Sequence, residues 1–354
     1  MNESVLSFKD KYFGDKNFYK MTLTIAIPII IQNLLTNLVS MADNIMVGQL
    51  GTNQMSGVAI INQLFFVFNL LVFGGMSGAG LFSAQYFGQK NHNGVRDVFR
   101  MKILIGITII AISLSVMIFL HEPLINMFLH EGSSSGNIQE TFNYAKNYLY
   151  IMVIGIAPFV ISNCYNTTLK ESGQTVVPMK AGVLAVVFDI VLNYIFIFGK
   201  LGFPAMGVVG AAIATVISRF VECGYLVIYT HIHSNDYPFI KHCYRTLKVP
   251  GSLVKKIIVT GAPLMLNEFL WAGGLTLQTQ ALSTKGLATV GGLNICNTIG
   301  NISNCIFVTM GTTIAIVVGQ LLGAGKLKEA KVTATRMAAF SLLISFGMII
   351  ILGL

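Results

Sequence analysis

Nine apolar runs, each long enough to cross or nearly cross a bilayer, divide this chain and push its charge into the connections between them. They cover 21–47, 56–84, 103–120, 141–166, 179–199, 206–230, 257–283, 287–322 and 337–354. About 20 mostly apolar residues span the hydrocarbon as a helix. In lipid only a helix or a closed barrel satisfies its own backbone. Runs of this length therefore predict an all-α integral membrane protein. Composition agrees, because only 10% of the residues are charged, against roughly a quarter in a soluble domain. The second and eighth runs exceed a straight span, so their ends are expected outside the hydrocarbon.

The positive charges set the orientation. Segments 1–20, 85–102, 167–180, 231–256 and 323–336 alternate along the chain and hold 19 of its 23 Lys and Arg residues. Basic loops stay in the cytoplasm, which predicts a cytoplasmic N-terminus. The opposite loop 121–140 carries Glu122, Glu131 and Glu140 and no Lys or Arg. The net charge of +9 then reflects loops facing anionic lipid. No basic patch interleaved with aromatics occurs on a polar scaffold, so nucleic acid is not an expected partner. Cys164, Cys223, Cys243, Cys296 and Cys305 are scattered without metal spacing and read as small packing residues. The first 20 residues are polar and the first apolar run exceeds a signal h-region, so no cleavable signal peptide is expected.

The chain also repeats itself. Shifted by 235 residues, Pro28 meets Pro263, Gly51 meets Gly286, Gly57 meets Gly292, Asn62 meets Asn297 and Asn69 meets Asn304. Gln85 then meets Gln320, and Gly88 meets Gly323. Six spans separate the copies, so both enter from the same side, and the expected relation is an axis along the membrane normal. The domain reading follows: a lead 1–20, a six-helix lobe 21–230, a cytoplasmic linker 231–256 and a three-span partial lobe 257–354. Residue 354 corresponds to position 119 of the first copy. A second lobe matching the first would need three more spans, so a C-terminally incomplete transporter is expected. The linker holds His231, His233 and His242 among Lys241, Arg245 and Lys248, the pattern of a solvated connection more than of a metal site.

Several stretches resemble the multidrug and toxic compound extrusion (MATE) family. They are Pro28 with Asp43-Asn44-Ile45-Met46-Val47-Gly48 and Gly51, Gln85-Tyr86-Phe87-Gly88-Gln89-Lys90, and Leu169-Lys170-Glu171-Ser172-Gly173-Gln174-Thr175. Asn193-Tyr194-Ile195-Phe196-Ile197-Phe198-Gly199 and Gly207-Val208-Val209-Gly210-Ala211-Ala212-Ile213-Ala214-Thr215 continue it. The resemblance implies twelve helices in two six-helix lobes, a central cavity open to one side at a time, and export of organic cations driven by Na⁺ or H⁺ entry. The expected localisation is the cell membrane, as a monomer, with small organic cations as cargo and no cofactor beyond the coupling ion. It also matches Asp43 to a first-helix coupling acid, whose fifth-helix partners in the family often read Asn-x-x-x-Asp. Here the order is reversed, Asp189 preceding Asn193.

The residues themselves point to the same places. Acids inside spans cost about 2.5–3.5 kcal/mol near a helix centre and are kept where they face protein or water. Asp43, Asp189, Glu222 and Glu268 are such acids. Asp189 and Asn193 stand one turn apart on one face, where a carboxylate and an amide oxygen can hold Na⁺ or share a proton; a plain Asn/Asp hydrogen-bonded pair is the alternative. With Asp43 added as the first-helix acid that the resemblance implies, Asp43, Asp189 and Asn193 are the expected coupling site. Glu268 with Trp271 at i+3 suits a lipophilic cation, through charge and a cation–π contact worth about 0.5–2 kcal/mol; a second ion site or a structural role remain open for it. Gln278, the repeat mate of Asp43, is an expected cavity residue. Arg219 and Glu222 at i, i+3 are expected to pair. The competing functions are a lipid or lipid-linked oligosaccharide flippase of the same superfamily, a membrane enzyme and an inactive fragment. The first would need a basic cavity and the second a nucleophile–base pair, and the spans offer neither.

Overall fold

The computed structural model describes residues 11–129, 137–283 and 287–353, and the regular elements among them are helices. In chain order these are α1 (Lys16–Gly48), α2 (Thr52–Gly88), α3 (His92–Phe119), the short α4 (His121–Asn126), α5 (Ile138–Met152), α6 (Ile156–Glu171), α7 (Val176–Phe198) and α8 (Val208–Ile232). After the linker come α9 (Gly251–Ser283), α10 (Leu287–Gly323) and α11 (Leu327–Gly353). A 3₁₀ turn at Val153–Gly155 joins α5 to α6 inside one apolar run. Seven helical stretches are long and apolar enough to cross a membrane: α1, α2, α3, α5 with α6, α7, α8 and the Ser303–Gly323 part of α10. The helices α9 and α11 occupy the two other apolar runs. Glu131, Lys285, Gly286 and the side chain of Cys296 lie outside the described residues.

The 235-residue offset recurs in the coordinates. Helix α9 starts and ends 235 residues after α1, α10 does the same relative to α2, and α11 starts 235 residues after α3. Local chemistry fixes several of these ends. The Asp15 carboxylate accepts the Phe18 N–H at 2.9 Å, and the Asn91 side chain accepts from Gly94 N at 3.0 Å, so each satisfies a donor that a helix start leaves free. Gly199 closes α7 at φ 67°, the left-handed conformation that costs glycine little.

Helix α2 organises the packing. It contacts α3, α5 and α6 in its own half and both α9 and α10 in the other. Its buried face, Ile61, Phe65, Phe68 and Val72, joins Phe99, Leu149, Ile156, Val160, Ile197 and Leu226 in the largest core cluster. Ile107, Ile112 and Phe119 of α3 instead stay outward at 51%, 54% and 80% exposure, as suits a surface whose solvent is lipid. With no hydrophobic drive between helices in a bilayer, small residues allow the close approach on which dispersion depends. Gly78 lies against Gly261, 3.4 Å from the position a Cβ there would take. At the ends of α2 and α10 the approach is reciprocal. A Cβ on Gly88 would overlap the Gln320 carbonyl, and one on Gly323 would overlap the Gln85 carbonyl. Both pairs are repeat mates.

Two expectations need correction here. The linker is not simply solvated: Tyr237, Phe239, Ile240 and Cys243 are buried, and the Phe239 ring packs, tilted, 5.5 Å from that of Phe99 on α3. Arg100 clamps it, donating from Nε to the Cys243 carbonyl at 2.9 Å and from Nη2 to that of His242 at 3.0 Å. Interspersed apolar residues outweigh the charge count in this segment. Lys102, counted among the basic loop residues, is fully buried. Its Nζ donates to Glu171 Oε2 at 2.6 Å, Thr167 Oγ1 at 2.9 Å and Thr168 Oγ1 at 3.2 Å. Paired and hydrogen-bonded in this way, a charge can be carried inside.

Candidate functional site

Four helices converge on one polar spot inside the first half. Helix α7 contributes Asp189 and Asn193, with 3% and 0% of their surface exposed. Helix α1 lies along α7 and presents Asp43. Asn193 Nδ2 donates to Asp43 Oδ1 at 2.7 Å and to Asp189 Oδ2 at 3.1 Å. An amide nitrogen has two protons, so one side chain bridges both acids. Helix α8 adds Ser218, whose Oγ lies 3.0 Å from Asp189 Oδ1 and 2.8 Å from the Thr215 carbonyl. A hydroxyl carries one proton and serves one of these acceptors at a time. Tyr148 of α5, itself buried, places its hydroxyl beside Thr215 and near both acids.

The Asn193 Oδ1 is buried and has no hydrogen-bond partner. An unpaired buried acceptor costs about 1–3 kcal/mol and calls for a partner such as a water or an ion. Two carboxylates facing one amide suit a shared proton or, with the amide turned to present its oxygen, a hard monovalent cation. Among the described residues no group of three or more His, Cys, Asp or Glu side chains is placed to hold a metal ion. The three expected coupling residues thus stand together.

The expected cargo residues stand apart from them. Glu268 is partly buried, Trp271 is 48% exposed and Gln278 is exposed. Their helix α9 packs on α2, and no hydrogen bond or ion pair joins Glu268 to a described residue or to the acids of the first half. Asn33, the repeat mate of Glu268, donates to Thr309 Oγ1 of α10 at 3.0 Å, so that position ties the halves together. The expected Arg219–Glu222 pair is not formed. The guanidinium instead lies 5.3 Å from the Phe65 ring and 5.1 Å from the Phe159 ring, with Nη1 donating to the Gly155 carbonyl at 3.4 Å. Rings supplied by α2 and α6 outcompete the carboxylate one turn along α8. Tyr148, Thr215 and Ser218 escaped the reading of the sequence. Thr215 and Ser218, three residues apart, do mark one polar strip on α8, the one signal that pointed to them.

Comparison with known proteins gives a consistent picture. The MatE family model matches residues 28–195 and 263–354. A probable multidrug resistance protein NorM of Thermotoga maritima is 29% identical over 306 residues, covering 86% of this chain and 64% of that protein. A protein of the same description from Halalkalibacterium halodurans is 28% identical over 319 residues, covering 88% and 66%. The chain therefore spans somewhat under two thirds of the length of these relatives. Among solved structures, the outward-facing conformation of a multidrug resistance MATE family transporter of the MOP superfamily superposes with a TM-score of 0.81 at 23% identity, covering 95% of this chain and 70% of that one. A MATE in the straight conformation also gives 0.81, at 22% identity, covering 97% and 73%. At these identities the likeness speaks for the fold.

Proposed function

The chain belongs to the MatE family of membrane transporters, and from that premise we propose that it acts as a cation-coupled antiporter exporting organic cations by alternating access. The observation that carries this reading is the Asn193 amide bridging Asp43 and Asp189, with its own carbonyl oxygen left unpaired. Uptake of Na⁺ or H⁺ there cancels negative charge on the α1–α7 contact and changes how α1 packs. Pro28, buried within α1, lacks the donor that would close its helical turn and is the natural bend point. With the cation released inside, the recharged acids favour a new positively charged cargo. One elementary charge moving down a membrane potential gains about 2.3 kcal/mol per 100 mV.

In this reading the N-terminus is cytoplasmic, and the protein is a monomer of the cell membrane. The two halves act as lobes about an axis along the membrane normal, supported by the matching helix bounds and the reciprocal Gly88–Gln320 and Gly323–Gln85 contacts. Glu268, Trp271 and Gln278 serve the cargo from the second half. The curated relatives are described as probable multidrug resistance proteins, which favours drug-like cations. A pyrophosphate-bearing lipid would call for a basic pocket, and the acids at the α1–α7 contact disfavour it. The test is ethidium efflux from loaded intact cells expressing the wild-type protein or Asp43→Asn, with a Na⁺ gradient at fixed pH and separately with a pH gradient in Na⁺-free buffer. Wild type is expected to respond to one gradient and the variant to neither. Equal efflux by both proteins would refute the assignment.

A further inference from the structure

The 235-residue offset makes two places equivalent, the approach of α3 to α9 and the approach of α11 to α1. At the first, Val98 and Met101 of α3 join Leu253 and Ile257 of α9 in an apolar cluster, with Val249 packed against it. At the second, the Tyr19 and Phe340 rings meet at 5.2 Å. There the N-terminal ends of the two helices flank a cavity of about 830 Å³. Its lining includes Asp15, Phe18 and Met21 from one half and Lys326, Lys328 and Arg336 from the other.

The chemistry of the two places differs. The offset pairs Lys326 with Asn91, Lys328 with Asn93 and Arg336 with Met101. Three cations thus stand where the equivalent place has two amides and a thioether. Two acids also line the cavity, and both are engaged. Asp15 accepts the Phe18 N–H at 2.9 Å, and Glu329 closes on Lys326 at 3.0 Å. The lining keeps an excess of positive charge. Its apolar part reaches the surface, since Leu327, between the two lysines in sequence, is 68% exposed and Met21 is 42% exposed.

Depth and size point to the occupant. The apolar runs begin at Met21 in α1 and at Met337 in α11, so the cavity lies just outside the hydrocarbon, at the level of lipid headgroups. Its volume is that of a site for a drug-sized ligand, and a bare inorganic anion would leave most of it unfilled. Cations beside exposed apolar side chains suit an amphiphile with an anionic head, and basic pockets between membrane helices bind such headgroups.

We propose that this cavity binds one anionic phospholipid, its phosphate met by Lys328 and Arg336 and its upper acyl carbons laid against Met21 and Leu327. Bound there, the lipid ties the N-terminal end of α1 to that of α11 across the two halves. The inference needs only that the chain spans a membrane, and it stands or falls apart from the antiport reading.

The experiment mixes the intact protein, purified in neutral detergent, with equal amounts of phosphatidylglycerol and phosphatidylcholine of the same acyl chains. Native mass spectrometry then counts the lipid retained. Two cations at about fivefold each predict a preference of about 25-fold for phosphatidylglycerol, held as one molecule. Lys328→Gln/Arg336→Gln should bring that preference near one. Lys255→Gln/Lys256→Gln removes the same charge from the equivalent place at the start of α9 and should stay close to wild type. Val332→Trp puts bulk into the cavity lining with every charge kept, and it should lower retention too, so the test stays decisive if the charge variant fails to fold. An equal loss in the Lys255/Lys256 variant would overturn the proposal, because basic surface alone would then explain the binding. Displacement of phosphatidylglycerol by millimolar inorganic phosphate would overturn it in favour of a soluble-anion site. A gain in retained phosphatidylglycerol on deletion of residues 2–10 would overturn it by making the chain's own N-terminal lead the occupant.

Discussion

Replacing Glu171 with glutamine leaves the fully buried Lys102 ammonium without its counter-ion. The lysine side chain is 0% exposed and the glutamate 13%, with 2.6 Å between Nζ and Oε2. Breaking a buried ion pair by neutralising one partner costs about 3–5 kcal/mol, because the survivor keeps its desolvation penalty. Three features put Glu171→Gln at the low end. The Thr167 and Thr168 hydroxyls still accept from Nζ, the new amide oxygen can accept as well, and the partial exposure of residue 171 lets water approach. A loss of about 3 kcal/mol, roughly 150-fold in the folding equilibrium, is expected. Removing both charges in Lys102→Met/Glu171→Met should cost far less than the single changes added together, since apolar pairs of similar volume often replace buried ion pairs neutrally. Reversible unfolding in mixed micelles of rising SDS content measures each corner of the cycle. Additive losses, with no coupling energy above about 0.5 kcal/mol, would refute the view that this pair acts as a unit.

Other expectations follow from the same coordinates. Gly88→Ala or Gly323→Ala puts a methyl group into the opposite carbonyl, an overpacking cost of about 1–3 kcal/mol. Cysteine labelling of the α2–α10 crossing should show it opened in either variant, and unchanged labelling would contradict the contact. Arg100→Ala removes both donors from the linker, and maleimide should then reach Cys243, which is 0% exposed in the wild type. Burial raises the Tyr237 hydroxyl above the ordinary tyrosine range, with nearby Tyr229, Asp236 and Tyr225 adding to the shift. Its contribution to linker docking is thus fully present below about pH 10 and fades only as pH rises through the higher folded value. The 295 nm absorbance difference between wild type and Tyr237→Phe should show that late ionisation, and a transition in the usual range would contradict the burial.

Some of this was legible in the residues and some was not, for physical reasons. Helix positions were legible because length and apolarity are properties of a single stretch, and the 235-residue offset holds at five helix ends. Asp189 and Asn193 were placed on one face by a spacing rule that needs nothing beyond their own helix. The arrival of Asp43 opposite them came from the family resemblance, because no periodicity within α1 says which helix it meets. Arg219 was misread because its neighbour along α8 is visible in the sequence, whereas the rings from α2 and α6 are not. The linker misled for a similar reason. Its Lys, Arg and His residues advertise water, while Phe239 and Ile240 find their partners on α3, some 140 residues earlier in the chain.

That docked linker has a mechanical consequence. With Cys243 buried and Leu253 already packed against α2 and α3, the slack joining the two halves is confined to Tyr244–Ser252. Val249 sits against the same cluster, which shortens the leash further. On the proposed antiport reading, the two halves can separate at this end only by what Tyr244–Ser252 spans, about 30 Å at full extension, and less while Val249 stays docked.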